Sequence, residues 1–481
     1  MLYYFFEWLD KLYEIPGFGV FRFISFRSIL AIIFSLIISL LIGKKIIDIL
    51  RKNLIGEVVR DTKFGPDHAA KAGTPTMGGL IIIAATIIPT LLWGDIMNGY
   101  VWLILLGTMW MGTIGFVDDY IKVFKKDKKG LKGKFKVIGQ VGLGLIVGLV
   151  MLFHPDFGGS RSHITQLNVI RYNNSQTDKL VQRMGFVAGD RLIQINGQAI
   201  SEFPDAEQYE AISSYLVERE NGETVAPVAI EIPEELRQKT ASAIFGLRDP
   251  AFIYTTDFPF FKEYVFDYSK VLFISDWIGE EGERWLGKLI YLLVVIFIIT
   301  AVSNAVNLTD GIDGLAAGTT AIVGAGLGVF AYVSGNAIFS SYLNITYIPL
   351  SSELLIFIAS MVGGCLGFLW YNSFPAQVFM GDTGSLALGG AVGILALMVK
   401  KELLIPIFCG IFLAETLSVM IQVSYFKYTK RKTGEGKRIF LMSPLHHHYE
   451  KKGIPEAKIV MRFFIVAILL VAVAFATLKL R

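Results

Sequence analysis

Long apolar runs alternate with polar segments along most of the chain. Ten of these runs are long enough, or nearly long enough, to cross a bilayer as a helix, which takes roughly 20 apolar residues. They cover residues 24–43, 78–94, 100–117, 137–153, 286–303, 315–333, 353–370, 384–399, 403–424 and 458–478. The pattern predicts an all-α polytopic membrane protein with about ten transmembrane helices.

The composition supports this pattern and excludes other classes of protein. Of the 481 residues, 53% are hydrophobic and 18% are charged, whereas soluble domains average about 25% charged residues. The apolar and aromatic content excludes a disordered chain, and two cysteines, both in apolar runs, exclude a disulfide scaffold. The first run is too long for a cleaved signal peptide and lacks a cleavage pattern, so we expect a permanent anchor. We expect no nucleic-acid partner.

Basic residues are concentrated on one side of the predicted spans. The loops after odd-numbered runs contain 24 Lys and Arg residues, whereas the opposite side, without the long interruption after the fourth run, contains six. Basic loops stay in the cytoplasm. We therefore expect a multi-pass protein of the cell inner membrane whose odd-numbered loops are cytoplasmic. Both termini and residues 154–285 would face outward, which in a Gram-negative cell is the periplasm.

The fourth and fifth runs are separated by about 130 residues that contain strand-like stretches. Within them, GFVAGDRLIQINGQAI at 185–200 resembles the centre of a PDZ domain of the bacterial envelope type. In that resemblance Asn196-Gly197 is a hairpin turn, and residues 205–217 form the helix beside a peptide groove. PDZ domains bind peptides by adding a strand to a sheet edge. We interpret the segment as an inserted extracytoplasmic α+β PDZ-like domain with a periplasmic peptide or protein partner; a structural spacer or an engineered fusion module is the alternative.

Two adjacent carboxylates, Asp118 and Asp119, lie where the third run meets a basic loop. Lys122 is four residues from the first and three from the second, so helical spacing places all three on one face. Adjacent carboxylates repel each other unless a cation lies beside them, and Mg²⁺ prefers oxygen ligands. The motif predicts a metal site; a pair of solvated acids at a helix end is the alternative.

A second polar motif follows the fifth run, in SNAVNLTDGIDGL. Its amide and acid side chains recur every third residue and would form one stripe if the helix continued: Asn304, Asn307, Asp310 and Asp313. Such groups at a membrane face are costly without a polar ligand. The motif therefore predicts a binding site for a polar ligand.

A third acidic motif lies between the seventh and eighth runs, in FPAQVFMGDTGSL. Asp382 there precedes a Thr-Gly-Ser turn and an apolar helix. Main-chain N–H groups at a helix start favour anions. Asp382 is thus a candidate ligand for a metal that also touches phosphate, and an ordinary helix cap is the alternative.

Two further clusters lie in basic loops. His446, His447 and His448 are consecutive, so they cannot all face one ion from a regular helix, and spacing argues only weakly for zinc. The alternatives to a zinc site are that these histidines contact phosphate or that they belong to a solvated polar loop. In the first loop, Lys71 and Thr76 precede the glycine pair that opens the second run, which suggests phosphate or nucleotide contacts.

All five clusters fall in odd-numbered loops and therefore on the predicted cytoplasmic face. Acids, bases and glycines at one membrane surface fit Mg²⁺-assisted chemistry on a phosphorylated substrate. The second substrate is then expected to be a membrane lipid. A transporter is the alternative of a different class, because polar clusters at membrane depth also line ion paths. However, these clusters lie at span ends on one side, and neither a midplane site nor inverted repeats are visible.

Five motifs in order resemble those of the phospho-N-acetylmuramoyl-pentapeptide transferase family. They are RDTKFGPDHAAKAGTPTMGG at 60–79, DDYIK at 118–122, NAVNLTDGIDGL at 304–315, FMGDTGSL at 379–386 and PLHHHYE at 444–450. The resemblance implies Mg²⁺-dependent transfer of phospho-N-acetylmuramoyl-pentapeptide from UDP-N-acetylmuramoyl-pentapeptide (UDP-MurNAc-pentapeptide) to undecaprenyl phosphate. The products would be lipid I and UMP, in the first membrane step of peptidoglycan synthesis.

The resemblance also implies roles for single residues. Asp382 would be a direct metal ligand, and Asp118 with Asp119 would serve the metal or deprotonate and position the lipid phosphate. His446 would lie at the active site, and Phe379 would stack on uracil. Substrate contacts are implied for Lys71, Thr76, Lys122, Lys134, Asn304, Asn307, Asp310, Asp313, Phe379, His447 and His448. A one-step attack and a covalent enzyme intermediate both stay open.

The triple-histidine motif separates this family from relatives that transfer N-acetylglucosamine phosphate, which are the second enzymatic alternative.

We divide the chain into a membrane transferase domain at 1–156 with spans one to four, the PDZ-like insertion at 157–270, and the rest of the transferase domain at 271–481. The family normally has only a short segment at the position of the insertion. The insertion displaces no active-site motif, so it leaves regulation and partners open but not the reaction. Polytopic enzymes of this kind often pair, so a homodimer is a candidate assembly.

Overall fold

The computed structural model describes most of the membrane-spanning part of the chain and short pieces of the long interruption. The described residues are 1–13, 17–53, 74–127, 129–158, 191–195, 198–199, 215–218, 224–225, 254–257, 265–272, 275–343, 345–348 and 350–478. Lys71 lies outside them. The chain forms two compact units. The larger unit consists of Met1–Val147, Leu293–Val329 and Glu353–Ala476, and the smaller of Gly148–Leu292, Phe330–Ser352 and Thr477–Arg481.

The described chain is mostly helical. Up to the long interruption its helices are α1 (Leu2–Tyr13), α2 (Ile24–Asn53), α3 (Gly79–Trp93), α4 (Gly99–Val123), α5 (Gly133–Phe153) and the short α6 (Pro155–Gly158). After it come α7 (Ser275–Thr309), α8 (Leu315–Gly335), α9 (Ala337–Leu343), α10 (Leu354–Asn372), α11 (Gly381–Met398), α12 (Ile405–Phe408), α13 (Gly410–Thr433), α14 (Leu445–Lys451) and α15 (Glu456–Ala476).

Each apolar run that the sequence singles out falls on one helix, except the run at 403–424, which is divided between α12 and α13. Within the described residues, eight helices are long and apolar enough to cross a membrane. A ninth span results if Glu402–Phe408 and Gly410–Thr433, which meet at a bend of 80°, count as one. Helix α3, with 15 residues, is shorter than a usual span. The polytopic helical fold is therefore confirmed, whereas ten crossings stay a prediction.

Small residues bring neighbouring helices close together in the larger unit. A Cβ at Gly363 of α10 would lie 2.9 Å from the Cβ of Ser35 on α2, and one at Gly367 would lie 2.5 Å from that of Ser39. The Ser35 hydroxyl donates a hydrogen bond to the carbonyl of Ser360 across this contact, at 2.6 Å. Close backbone approach with a bridging hydroxyl is how helices pack in lipid, where no hydrophobic force drives them together.

The smaller unit contains the described strands. Strands β1 (Arg191–Ile195), β2 (Gln198–Ala199), β3 (Tyr215–Glu218) and β4 (Thr224–Val225) form an antiparallel sheet in the order β2-β1-β3-β4. Strands β5 (Thr255–Asp257) and β6 (Val265–Asp267) form a separate antiparallel pair. The pairing of Ile195 with Gln198 is that of a two-residue hairpin; the predicted turn residues Asn196 and Gly197 lie outside the described residues.

The sequence prediction of a helix over 205–217 is wrong at its end. Residues 215–217 belong to β3, where Tyr215 pairs with Ile195 and Val217 with Leu192 of β1. Tyrosine and valine favour strands because they pack well on a pleated surface, and the neighbouring strand supplies the partner that the local pattern did not reveal. Residues 205–214 lie outside the described residues, and the PDZ-like fold stays a prediction.

Candidate active site

Three carboxylates meet where α4 and α11 come together in the larger unit. Asp118 and Asp119 lie near the end of α4, and Asp382 is the second residue of α11. One oxygen from each lies within 4.8 Å of the others, and the side chains of Asp118 and Asp119 are buried. Two acidic motifs more than 260 residues apart in the chain therefore form one cluster.

Two glycines allow this approach. A Cβ at Gly115, one turn before Asp119 on α4, would overlap the Asp382 carbonyl and lie 2.6 Å from the amide nitrogen of Thr383. Gly381 has a φ of 72°, in the left-handed region that favours glycine, and a Cβ there would lie 2.6 Å from Oδ2 of Asp119. Larger residues at these positions would push α4 and α11 apart.

Asp119 holds the start of α11. Its Oδ1 accepts a hydrogen bond from the amide of Asp382 at 3.2 Å, and its Oδ2 accepts from the amide of Thr383 at 2.8 Å and from the Thr383 hydroxyl at 2.6 Å. The first amides of a helix have no partner within the helix, and a carboxylate also interacts favourably with the helix dipole. Asp119 therefore orients the turn that presents Asp382.

Two lysines lie among the carboxylates. Nζ of Lys122 is 2.5 Å from Oδ2 of Asp118 and 3.3 Å from Oδ2 of Asp382. Nζ of Lys136, on α5, is 2.9 Å from Oδ1 of Asp118 and 2.5 Å from Oδ2 of Asp382. Asp118 and Lys122 thus share a face of α4 as predicted, while the neighbouring Asp119 is hydrogen-bonded to α11.

Sequence reasoning missed Lys136 and named Lys134 instead. The two lie on the same helix, but two steps of about 100° per residue leave their side chains about 160° apart around it, so Lys136 faces the acidic cluster and Lys134 does not. Lys134 is exposed, and its contact with phosphate stays a prediction. The signal for Lys136 was its place in the same basic loop, but spacing alone did not distinguish it from its neighbours.

The predicted stripe of amides and acids is divided by the end of a helix. Helix α7 ends at Thr309 and the chain turns before α8, with Gly314 at a φ of 80°. On the helical part, Nδ2 of Asn307 donates to Oδ1 of Asp382 at 2.9 Å and to the Ser385 hydroxyl at 2.8 Å. The Asn307 side chain therefore joins the acidic cluster and helps to orient Asp382.

The other members of the stripe lie in different surroundings. Nδ2 of Asn304 donates to Oε1 of Gln140 on α5 at 3.0 Å. Asp310 is half-buried in the turn after α7. Asp313 is buried and its Oδ2 accepts from the amide of Ala376 at 3.0 Å. Because residue 376 lies in the loop before α11, Asp313 fixes the segment that carries Phe379.

A main-chain pairing brings Thr76 and Phe379 close together. The amide of Phe379 donates to the Pro75 carbonyl, and the amide of Gly78 donates to the Phe379 carbonyl, both at 2.8 Å. Thr76 and Phe379 are half-buried. The first loop and the loop before α11 thus form one short ladder that leads into Asp382.

His446 is fully buried against Glu415. Glu415 lies on α13 and is itself fully buried; its Oε1 accepts from the His446 amide at 3.2 Å, and its Oε2 lies 3.2 Å from Nδ1. On the other side of the ring, a Cβ at Gly311 would collide with Nε2. Sequence reasoning missed Glu415, although a carboxylate inside an apolar run is a signal of function.

The other two histidines have different partners. Nδ1 of His447 lies 2.6 Å from Oε2 of Glu450. Nδ1 of His448 accepts a hydrogen bond from the amide of Leu441 at 3.1 Å. Burial and the nearby Lys452 ammonium hold the pKa of His448 below its ordinary value, which favours the neutral ring that this hydrogen bond requires. The rings of His446 and His447 lie against each other, with centroids 4.2 Å apart, whereas His448 contacts Leu441, as expected for consecutive residues that cannot all face one point.

Comparisons with known proteins identify the family. Residues 71–83 match a phospho-N-acetylmuramoyl-pentapeptide-transferase signature, and residues 259–400 match glycosyl transferase family 4. Over the full length of both chains, the protein is 50% identical to the phospho-N-acetylmuramoyl-pentapeptide-transferase of Flavobacterium johnsoniae and 51% identical to that of Flavobacterium psychrophilum. The protein of the same name from Parabacteroides distasonis is 45% identical, again over both complete chains. The chain belongs to the phospho-N-acetylmuramoyl-pentapeptide transferase family.

Membership of the family also bears on the long interruption. The alignments with the two Flavobacterium transferases extend over 481 residues and cover each chain completely. They therefore include residues 157–270, so these transferases contain a counterpart of the insertion. An engineered fusion is the wrong explanation for this segment.

The acidic cluster suits the divalent cation on which enzymes of this family depend. Asp118, Asp119 and Asp382 supply oxygen atoms only. One oxygen of each carboxylate lies close enough to the other two for the three to share one ion. Hard cations such as Mg²⁺ prefer carboxylate oxygens, usually from one or two residues together with substrate phosphates. The donor chemistry of the cluster therefore fits a magnesium site.

Proposed function

We propose that the protein catalyses transfer of phospho-N-acetylmuramoyl-pentapeptide from UDP-N-acetylmuramoyl-pentapeptide to undecaprenyl phosphate, with Mg²⁺ as cofactor. The observation that carries the proposal is the full-length similarity to phospho-N-acetylmuramoyl-pentapeptide transferases. The cluster of three carboxylates and two lysines at the ends of apolar helices supports it. A lipid phosphate and a charged nucleotide could both reach such a position.

In the proposed reaction, an oxygen of the lipid phosphate forms a new bond to the sugar-linked phosphorus of the nucleotide. The bond from that phosphorus to the bridging oxygen breaks, and the bridging oxygen leaves with UMP. The product is lipid I. A single attack and a route through an enzyme aspartate give the same overall balance.

Asp118, Asp119 and Asp382 would hold Mg²⁺, which when bound would offset negative charge on the phosphate oxygens. Asn307 donates to Asp382 and keeps its carboxylate turned toward the cluster. Asp119 fixes the first turn of α11 through the Thr383 contacts.

The lysines of the cluster would neutralise phosphate charge. Lys122 and Lys136 each contact both Asp118 and Asp382. Three carboxylates and two ammonium groups leave one negative charge, which a divalent cation would more than balance. The surplus positive charge would then attract phosphate oxygens, whose interaction with charged donors is strong.

The remaining predicted residues would bind the nucleotide around this cluster. Phe379 lies in the short ladder that leads into Asp382 and is half-buried there; its ring would stack on uracil. Asp313 would act by holding that loop, because it accepts from Ala376. The other proposed substrate contacts are Lys71, Lys134, Asn304, Asn307, Asp310, His446, His447 and His448.

The active site would face the cytoplasm, and the insertion would face the periplasm. The concentration of 24 basic residues in the loops on the active-site side, against six on the other, supports this orientation. Homodimer formation and an envelope partner for residues 157–270 stay predictions.

The proposal is tested with purified full-length protein, undecaprenyl phosphate and Mg²⁺. UDP-N-acetylmuramoyl-pentapeptide and UDP-N-acetylglucosamine are supplied side by side, and UMP and the lipid product are measured. We expect UMP release and lipid I with the muramoyl nucleotide only, and loss of both when Mg²⁺ is chelated. Turnover of the N-acetylglucosamine nucleotide alone would make the protein the related transferase. No UMP from either nucleotide would favour a transporter or scaffold.

A matched pair of variants tests the metal role. Asp382→Asn should lower turnover by on the order of 10²–10³-fold. The variant lacks the carboxylate that would hold Mg²⁺ against the negative charge that develops on the phosphate oxygens. Asp127→Asn is the control, since Asp127 is exposed in the loop after α4 and should retain the activity of the wild type. Unimpaired turnover by folded Asp382→Asn protein would contradict the role of Asp382.

A further inference from the structure

A glutamine lies inside the apolar part of α5, where a polar side chain is costly. Gln140 is fully buried and lies about 10 Å along the helix from its start at Gly133, at 1.5 Å per residue. Three exposed side chains near it on α5 are apolar: Val137, Ile138 and Leu145. A buried amide away from water loses free energy unless neighbouring groups supply its hydrogen bonds.

The partners of Gln140 lie on α7. Its Nε2 donates to the hydroxyl oxygen of Ser303 at 3.1 Å, and its Oε1 accepts from Nδ2 of Asn304 at 3.0 Å. Two consecutive residues of α7 thus hold the two ends of one amide. Hydrogen bonds between polar side chains are among the interactions that join helices in lipid.

The direction of these hydrogen bonds is set by Ser303. A hydroxyl group has one hydrogen, and that of Ser303 is directed to the Ile299 carbonyl of its own helix at 2.6 Å. The Ser303 oxygen therefore accepts from Gln140, which turns Nε2 of the glutamine toward Ser303 and Oε1 toward Asn304. Nδ2 of Asn304 also donates to the Thr300 carbonyl, at 2.8 Å.

Glycines bring α7 into backbone contact with both α5 and α11 near this amide. A Cβ at Gly144, one turn after Gln140 on α5, would lie 2.7 Å from the Cα of Ile296. A Cβ at Gly389 of α11 would lie 2.6 Å from the Cα of Ser303. Helix α7 therefore links the helix that carries Lys136 to the helix that carries Asp382.

The Gln140 contact lies about one helical turn from the acidic cluster on both helices. On α5, Lys136 precedes Gln140 by four residues, and its Nζ is 2.5 Å from Oδ2 of Asp382. On α7, Asn307 follows Asn304 by three residues, and its Nδ2 is 2.9 Å from Oδ1 of Asp382. Residues three or four apart lie on one face of a helix. The two helices that Gln140 joins thus carry the donors that reach both oxygens of Asp382.

An apolar side chain at this position would pack α5 on α7 without fixing their register. A buried polar residue between helices specifies one register, because its hydrogen bonds are lost in the others. The Gln140 amide is satisfied in the register in which Lys136 and Asn307 both reach Asp382. Precision matters here, since a displacement of about 1 Å at a reacting group can lower the rate on the order of 10²-fold.

We propose that Gln140 is a positioning residue: its amide fixes α5 against α7 so that Lys136 and Asn307 hold both oxygens of Asp382. Its consequence for turnover rests on the proposed function. Its consequence for the arrangement of the cluster does not, because that arrangement exists without substrate. Gln140 acts through Lys136 and Asn307 and not on the reacting phosphates.

The first test measures the reactivity of lysine amines in the full-length protein without substrate. In the wild type, an acylating reagent should modify Lys136, whose side chain is 20% exposed and paired with carboxylates, more slowly than the exposed Lys134. Peptide mass spectrometry gives both rates. Gln140→Leu has a similar volume but loses both hydrogen bonds, so the Lys136 rate should rise toward that of Lys134. Thr108→Val, at a buried hydroxyl bonded within α4, is the control and should keep the wild-type ratio.

The second test measures UMP release. Gln140→Leu should lower kcat/KM by on the order of 10–100-fold, and Thr108→Val should retain the wild-type value. In a Lys136→Gln background, Gln140→Leu should cost less than it does alone, because residues that act as a unit are not additive. Ser303→Ala removes the acceptor of Gln140 and should show both effects in weaker form. It takes the place of Gln140→Leu if that variant does not fold.

Two results would overturn the proposal. One is a Lys136 acylation rate in folded Gln140→Leu protein equal to that of the wild type. The other is independent, multiplicative losses of kcat/KM in the double variant, which a purely structural role predicts. If the wild type releases no UMP, the proposed function fails, and the acylation rates alone decide whether Gln140 positions Lys136.

Discussion

Lys136 shows how one side-chain direction decides membership of the site. Its ammonium lies between the carboxylates of Asp118 and Asp382, whereas Lys134 is exposed two residues earlier. The family resemblance and the basic loop indicated a lysine here, and the helical direction of α5 selected a different one. An ammonium among three carboxylates both neutralises them and offers a donor to phosphate.

We expect Lys136→Gln to lower kcat/KM by on the order of 10²-fold, because a charged donor near the developing phosphate charge is lost. Lys134→Gln should have a smaller effect. The measurement is UMP release at varied nucleotide concentration, with Lys132→Gln, which changes another exposed lysine, as the control. A larger loss in Lys134→Gln than in Lys136→Gln would contradict the assignment.

Glu415 is the second residue that the structure adds. It accepts from the His446 amide, and its other oxygen faces Nδ1 of the ring. Both side chains are fully buried. The His446 ring can therefore rotate little, because Glu415 and Gly311 lie against it. We infer that Glu415 positions His446.

We expect Glu415→Gln and His446→Gln each to lower kcat by roughly 10–100-fold, with little change in KM. The kcat of the double variant should be no lower than that of the less active single variant. Residues that act as a unit are not additive in their effects. Steady-state kinetics of the four proteins measures this coupling, and Glu435→Gln, at an exposed acid after α13, is the control. Independent, multiplicative losses would show that Glu415 acts without His446.

At the scale of elements, the contact between α4 and α11 builds the acidic cluster. Gly115 lets the two helices approach until its own Cα lies against the backbone at Asp382 and Thr383. Close packing of this kind tolerates an added methyl group poorly, because the overlapping atoms belong to backbone. The distance between the two acidic motifs thus depends on a residue without a functional group.

We expect Gly115→Ala to destabilise the protein by about 1–3 kcal/mol and to reduce turnover by separating Asp118 from Asp382. Gly142→Ala on α5 is the control, because its Cβ would lie 3.8 Å from the nearest atom of Trp110, an ordinary contact. Thermal unfolding in detergent and UMP release measure the two effects. Equal behaviour of both variants would show that the helix contact is looser than described.

The end of helix α7 shows a difference between the stripe that the sequence pattern predicts and the helix that forms. A period of three suggested one continuous stripe, but the helix ends at Thr309, and of the four side chains it is that of Asn307 that donates a hydrogen bond to Asp382. The glycines that follow permit the exit, and Asp313 instead holds the loop before α11. The same residues are therefore divided between binding and support by the place where the helix stops.

At the scale of the whole molecule, charge and hydropathy predict the orientation in the membrane. The exposed Met97 lies beside α1, and the exposed Glu435 follows α13 in a basic loop. Basic loops are retained in the cytoplasm. These two positions are therefore expected on opposite sides of the membrane.

We expect a membrane-impermeant maleimide to label Met97→Cys in spheroplasts and to label Glu435→Cys only after the membrane is permeabilised. The unsubstituted protein is the control, since Cys365 and Cys409 are buried. Labelling is measured by the mass shift of the purified protein. The reverse pattern would invert the orientation and place the active site outside.

The sequence by itself determined the helical membrane fold and the motifs of the site. Apolar runs and turns are properties of neighbouring residues, so the predicted runs fall on helices, with the run at 403–424 divided between α12 and α13. Asp118, Asp119 and Asp382 could be singled out as candidates because carboxylates beside apolar runs are costly unless they bind something, and the structure brings the three together. The exact number of spans depends on short or bent helices such as α3 and α12 with α13, where length alone is ambiguous.

Only the tertiary structure decided how these groups are combined. Lys136 and Glu415 contact the predicted residues Asp118 and His446 across helices far apart in the chain, and no local spacing encodes that approach. Residues 215–217 form a strand because β1 lies beside them. The sequence pattern of this segment alone does not reveal that neighbouring strand. Contacts between distant segments depend on how closely helices and strands pack, and this is why the site's supporting residues required the folded chain.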